Sequence, residues 1–126
     1  MIYTNPLIYI EIHESEVPWL KIFTHAQRKE FSQCSYAERM MIFDLLDLIE
    51  KEMISYFKPE KINIASFGNM LPQVHWHIMA RFLNDSYFPE PMWGAKQREG
   101  EAKIAPMEPF IENLKALLAS RFTTSS

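Results

Sequence analysis

The segment Asn-Met-Leu-Pro-Gln-Val-His-Trp-His-Ile-Met-Ala-Arg, residues 69–81, constrains this chain more than any other. Polar and apolar residues alternate through it, which is the two-residue period of a β-strand. In a strand, Gln73, His75 and His77 project from one face, and Val74, Trp76 and Ile78 project from the other, where a core takes them. A row of hydrogen-bonding and proton-handling groups stabilises a sheet poorly. It is suited to holding an anion and doing chemistry on it.

The flanking segments supply partners for that strand. Leu7 to His13 is rich in Ile and Tyr and alternates loosely, Glu14 to Pro18 reads as a turn, and Trp19 to Thr24 reads as the returning strand of a hairpin. Ser35 and Glu38 form a Ser-x-x-Glu capping box, the signature of a helix start. From there Ile42, Leu45, Leu46, Ile49, Met53 and Phe57 keep the spacing of one buried helical face, and Pro59 ends the helix near Phe57. Lys61 to Phe67 alternates again. A short irregular loop from Gly68 joins it to the motif strand, so the two are expected to pair antiparallel, with the loop beside His75. Residues 84–109 hold four prolines and two glycines without clear periodicity. Phe110, Leu114, Leu117 and Leu118 then recur at helical spacing, and Thr123 to Ser126 reads as a frayed tail. The expected fold class is α+β: an antiparallel sheet of about five strands carrying two helices. It is expected as one domain over residues 1–126, with the motif strand at about 73–82 and the C-terminal helix at about 108–122.

The bulk numbers narrow the function. A length of 126 residues fits one domain, and 48% hydrophobic with 23% charged residues fits an ordinary soluble globule. The net charge of −3 argues against a nucleic-acid polymer as partner but leaves room for a small anion. Cys34 is the only cysteine, so an internal disulfide is excluded and a reducing compartment is expected. No signal-peptide pattern opens the sequence, and no apolar run approaches the roughly 20 residues that span a bilayer. The expected location is the cytoplasm, with no membrane partner.

Residues 69–81 resemble the signature of the histidine triad (HIT) family of nucleotide hydrolases and transferases: three histidines alternating with apolar residues on a strand. The three motif positions here are Gln73, His75 and His77. The Val-Pro-Trp hairpin, the long helix, the Lys-Ile-Asn-Ile-Ala strand and the Pro-x-Pro-x-Trp-Gly run from Pro89 extend the resemblance to most of the chain, and to a bacterial subgroup with Gln at the first motif position. The resemblance implies His75 as the nucleophile toward an α-phosphate, forming a nucleotidyl-histidine that water cleaves. It implies His77 as a donor to the phosphoryl oxygens, Asn69 as a second phosphate contact, and His13 or, one residue on, Glu14 near the ribose. It further implies a homodimer through a strand and the long helix, and no cofactor. Gln73 joins His75 and His77 in the implied catalytic set and is the departure there, since an amide donates and accepts but does not titrate near neutral pH. The implied activity is cleavage of a nucleoside phosphoramidate, dinucleoside polyphosphate or similar compound. The alternative is a nucleotide-binding module with little turnover.

Blander readings accompany several residues. Two imidazoles at i and i+2 are able to share a zinc ion with His13 or His25, but no cysteine or carboxylate stands at ligand-like spacing, and no metal is expected. Trp76 reads as core and His25 as a loop residue. For Trp93 burial against the sheet is expected over stacking on a base. Arg81 is open between a surface ion pair and a phosphate contact, and Asn63 reads as an outward amide.

Overall fold

The alternating runs assemble into one antiparallel sheet. In the computed structural model, which describes residues 1–122, its strands are β1 (Tyr3–Thr4), β2 (Ile8–Ile12), β3 (Trp19–Thr24), β4 (Lys61–Ser66) and β5 (His75–Arg81), in the order β1-β2-β3-β5-β4. The expected α+β fold of five strands and two helices is the fold observed. The tail from Thr123 lies outside the described residues. β1 is too short to carry a period, and no sequence signal foretold it. Its cause is the Asn5 side chain, whose Oδ1 accepts from the amides of Leu7 (2.9 Å) and Ile8 (3.0 Å) and turns the chain back on itself.

Each strand sorts its residues by face. Ile8, Ile10, Leu20, Ile22, Ile62, Ile78 and Ala80 point to the side covered by α1 (Tyr36–Phe57) and α2 (Met107–Phe122), where they meet Leu45, Ile49, Met53, Phe110 and Leu114 in one apolar core. Each fully buried aliphatic or aromatic side chain there contributes about 1.5–3 kcal/mol. The opposite face carries Tyr9 and Glu11 of β2, Trp19, Lys21 and Phe23 of β3, Asn63 and Ala65 of β4, and His75, His77, Met79 and Arg81 of β5, as the register Lys21↔His77↔Ala65 requires. Among the described residues no helix covers this second face, so the motif histidines lie where a ligand can reach them.

Helix α1 starts where the capping box places it. Ser35 Oγ accepts from the Glu38 amide at 3.1 Å, and the Glu38 carboxylate accepts from the Ser35 amide. Glu38 is buried, and the Arg28 guanidinium meets it at 3.1 Å. Burial pushes the Glu38 carboxyl up, but the Ser35 amide and Arg28 outweigh it and hold the group below the usual range. Arg28 also lends its backbone carbonyl to the Val74 amide at 2.7 Å. The start of α1 is thereby tied to the entry of β5.

The uncovered face is partly closed by the long segment after β5. Met79 and Arg81 are buried beneath it. The Arg81 guanidinium grips Asp85 through two bonds, Nε to Oδ2 at 2.9 Å and Nη2 to Oδ1 at 3.0 Å, and reaches Asn63 Oδ1 at 2.8 Å and the Glu90 carbonyl at 2.7 Å. Asp85 in turn accepts from the amides of Phe82, Tyr87 and Phe88. These contacts correct two expectations. Arg81 makes a buried ion pair, neither a surface pair nor a phosphate contact. Asn63 turns to Arg81 and is not an outward amide. The cause is a loop folded flat across both residues, a feature without local periodicity.

Candidate active site

β5 begins at His75, two residues later than the alternation suggests. Gln73 and Val74 lie just outside the strand because their amides bond elsewhere: Gln73 N to the Leu71 carbonyl (2.7 Å) and Val74 N to Arg28. Gly68 opens this turn with φ of +69°, a region that other residues enter at a cost, and a Cβ there would lie 3.4 Å from the Leu71 carbonyl oxygen. The turn brings the Gln73 carbonyl to 2.8 Å from His75 Nδ1. A carbonyl only accepts, so Nδ1 carries the proton and the Nε2 lone pair is left available. The ring is further held by stacking on Phe23 (centroids 5.1 Å, 18°), which stacks on Tyr9 (4.9 Å, 7°).

His77 lies beside it, ring centroids 5.0 Å apart. Its Nδ1 accepts from the indole Nε1 of Trp19 at 2.9 Å. Trp19 also carries the His13 ring at 4.1 Å, which leaves His13 at 6.4 Å from His77. Burial drives the His77 pKa down to about 4, and His75, His13 and Lys21 add repulsion of a charged form. His13 is lowered too, first by burial and then by Lys21, with Glu14 opposing. His77 is therefore neutral at physiological pH.

The sequence-predicted residues separate into a group that meets and others that stand apart. His75, His77 and His13 share the uncovered face or its hairpin end. Gln73 adjoins them, but its side-chain amide is engaged: Nε2 donates to the Thr24 carbonyl at 2.7 Å, fastening the entry of β5 to the end of β3. Asn69 lies exposed in the β4–β5 loop. His25 points away, Nε2 at 2.9 Å from Thr4 Oγ1. Among the described residues no three His, Cys, Asp or Glu side chains converge as a metal site. Trp93 corrects its expected burial: it is 51% exposed and stands edge-on to Phe67 (4.5 Å), which flanks His77 (5.7 Å). The turn closed by Gly94 N to the Pro91 carbonyl sets it there, because the sheet positions it would cover are already taken by Asp85 and its neighbours. Three residues of the site were missed from sequence: Trp19, Lys21 and Phe67. Alternation with Leu20 and Ile22 would have put Trp19 and Lys21 on one face, but nothing local says that β3 adjoins β5. A cavity of about 530 Å³ opens between His13, Val17 and Trp19 on the hairpin and Ile104, Glu108 and Ile111 on the α2 side.

These protonation states set the acid stability. The folded His77 has a pKa below its unfolded value of 6.5, so the unfolded chain binds the extra proton first as pH falls. Stability is expected to drop from about pH 6.5 to about 4, by about 1–2 kcal/mol after discounting a half-buried group for solvent screening. Burial would raise Asp85, but Arg81 and three amides bring it down to about 2 from 3.8, so its contribution is lost in a separate step below pH 3.8. Urea unfolding between pH 2 and 8 checks both windows, and His77→Asn should shrink only the upper one, leaving the part that His13 contributes.

The HIT domain family profile matches residues 1–84, from the N-terminus through β5. No curated protein matches the chain significantly. Among solved structures the chain is similar to a histidine triad protein from Bradyrhizobium japonicum, at 24% identity over 95% of this chain and 87% of that one, with a TM-score of 0.72. It is similar to one from Sinorhizobium meliloti at 27% identity, covering 94% and 86%, with a TM-score of 0.70. The diadenosine triphosphate hydrolase of Plasmodium falciparum shares the fold at 19% identity, covering 97% and 78%, with a TM-score of 0.63.

Proposed function

The chain belongs to the HIT domain family, and from that premise we propose that it is a nucleotide hydrolase or nucleotidyl transferase acting at an α-phosphate. The substrate class is a nucleoside phosphoramidate, a dinucleoside polyphosphate or a similar compound; one structural relative is a diadenosine triphosphate hydrolase. The observation that carries the reading is the bond from His75 Nδ1 to the Gln73 carbonyl, which leaves Nε2 as a nucleophile with a free lone pair. His75 Nε2 attacks phosphorus, a P–N bond forms, and the bond to the leaving group breaks with its electron pair going to the leaving group, which takes a proton from water. A second water then attacks phosphorus, the P–N bond breaks with its electron pair returning to His75, the monophosphate leaves, and the proton shed by this water neutralises the hydroxide left by the first. His77 lends a hydrogen bond to a phosphoryl oxygen where negative charge builds. Asn69, exposed in the β4–β5 loop, is assigned to the phosphate and His13 to the ribose.

Gln73 is read as a trait of a bacterial subgroup. Its bond to Thr24 gives it a positional duty that needs no titration. Gln73→Ala should lower turnover about tenfold, because it leaves the Thr24 carbonyl without its donor and loosens the turn that holds His75. Gln73→His should preserve or raise turnover, since an imidazole N–H can take over the donation. Steady-state rates of the two variants check this, and a large loss in Gln73→His would show that the amide itself is required. The same engaged amide favours the alternative, a nucleotide-binding module with little turnover.

The protein acts in the cytoplasm as a homodimer without a nucleic-acid polymer, a membrane or a cofactor. No helix among the described residues is long and apolar enough to cross a membrane. This reading assigns the dimer contact to a strand edge and the long helix, where the free edge of β4 exposes Ile64 and α1 exposes Phe43 and Ile54. The deciding experiment is incubation with adenosine 5′-phosphoramidate and with diadenosine triphosphate, following AMP. Release of AMP supports the hydrolase; nucleotide binding with no release supports the module; neither one sinks both.

A further inference from the structure

Resting on the reading of β5 as a phosphate site, we propose that Trp19 is a positioning residue that holds His77 in the neutral tautomer with its proton on Nε2. The site then presents two neutral imidazoles of opposite kind, an acceptor Nε2 on His75 and a donor Nε2–H on His77.

The argument begins with what each group can do. An indole N–H donates and never accepts. Its 2.9 Å contact with His77 Nδ1 therefore requires a lone pair on Nδ1, which leaves the single proton of the neutral ring on Nε2. His75 is held the other way round, because a backbone carbonyl faces its Nδ1 and only accepts. Neighbouring histidines of the same strand, 5.0 Å apart, are thus set to opposite tasks by partners of opposite polarity. One attacks phosphorus and the other holds a phosphoryl oxygen.

The partner also bars the charged form. Adding a proton at Nδ1 would set N–H against N–H at 2.9 Å, so His77 must give up the Trp19 bond to become an imidazolium. Every titratable group facing His77 opposes its charging: His75 on β5, His13 with its ring 6.4 Å away, and Lys21 on β3. β4 brings only Ala65 opposite it, with Phe67 next to the ring. The downward displacement of the His77 pKa to about 4 agrees in direction. A neutral donor here avoids an ion pair between His77 and the phosphate in the ground state, so its hydrogen bond can strengthen as charge builds in the transition state.

Trp19 is itself immobilised. It follows the buried Pro18 at the start of β3, pairs with Met79 across the sheet, and reaches His77 diagonally, a distance that long aromatic side chains span. The His13 ring lies on it at 4.1 Å.

Long-range ¹H–¹⁵N correlation spectra of the ligand-free protein test the proposal. In the wild type, His77 Nδ1 should resonate as an unprotonated nitrogen and Nε2 as a protonated one, with a midpoint near pH 4. Trp19→Phe keeps an aromatic body and removes the donor. It should raise the His77 midpoint by about one pH unit. A merely structural role for Trp19 would lower stability and leave the His77 midpoint in place. A proton on Nδ1 in the wild type overturns the proposal even if the variant does not fold, and so does an unchanged midpoint in Trp19→Phe. Because the spectra need no substrate, their failure leaves the hydrolase reading intact. The expected spectra with no AMP release would sink the hydrolase reading and leave the Trp19 assignment standing.

Discussion

Replacing His75 with alanine is expected to lower the release of nucleoside monophosphate at least about 10³-fold while the fold persists. The expectation follows from geometry more than from residue type. His75 is the imidazole whose Nδ1 is satisfied by a backbone carbonyl, so its Nε2 has no task within the protein. His77, by contrast, has its Nδ1 committed to Trp19. On the proposed mechanism a truncation at His75 removes the covalent route, and it leaves the Phe23–Tyr9 stack in place. Quenched-flow trapping of a radiolabelled nucleotide should capture the covalent species on the wild type and not on His75→Ala. Turnover that survives the substitution would remove His75 from the reaction. The same experiment on His77→Asn should still trap label, more slowly, because a lost donor weakens transition-state binding without removing the nucleophile.

The largest expected change in stability lies away from the histidines. Asp85→Ala should destabilise the protein by about 3–5 kcal/mol, because it strands the buried Arg81 guanidinium without its counter-charge. It also deprives the amides of Phe82, Tyr87 and Phe88 of their acceptor. Replacing Arg81 and Asp85 together with apolar residues should recover only part of the loss, since those three amides and the Asn63 side chain stay unsatisfied. Denaturant unfolding at neutral pH measures both variants, and a loss below about 1 kcal/mol for Asp85→Ala would show that the clasp is not what holds this segment. The consequence for the site is indirect. The clasp lays the chain after β5 across Met79 and Arg81, and the same segment then delivers Trp93 to the edge of Phe67 beside His77.

The elements that carry the site were legible wherever one residue's role is set by its immediate neighbours. The capping box at Ser35 and Glu38 named the start of α1, and Pro59 its end, because caps and breakers act within a single turn. Alternation placed His75 and His77 together on one face of β5, because a strand's period is independent of what lies beside it. The alternation overreached at Gln73, where a local amide-to-carbonyl turn replaced the ladder. Trp93 was misjudged because aromatic bulk favours burial only where an uncovered surface remains, and Asp85 and Arg81 had filled it.

Sequence alone determined the α+β architecture, the two faces of the motif strand and the pairing of β4 with β5, since each follows from short-range periodicity or from a short connecting loop. Tertiary structure decided what the histidines can do. The indole that fixes His77 lies 58 positions away along the chain, and it arrives only because β3 is placed beside β5. The state of an imidazole depends on whether a donor or an acceptor faces each nitrogen, and that is a matter of which strands become neighbours, a quantity no local pattern encodes.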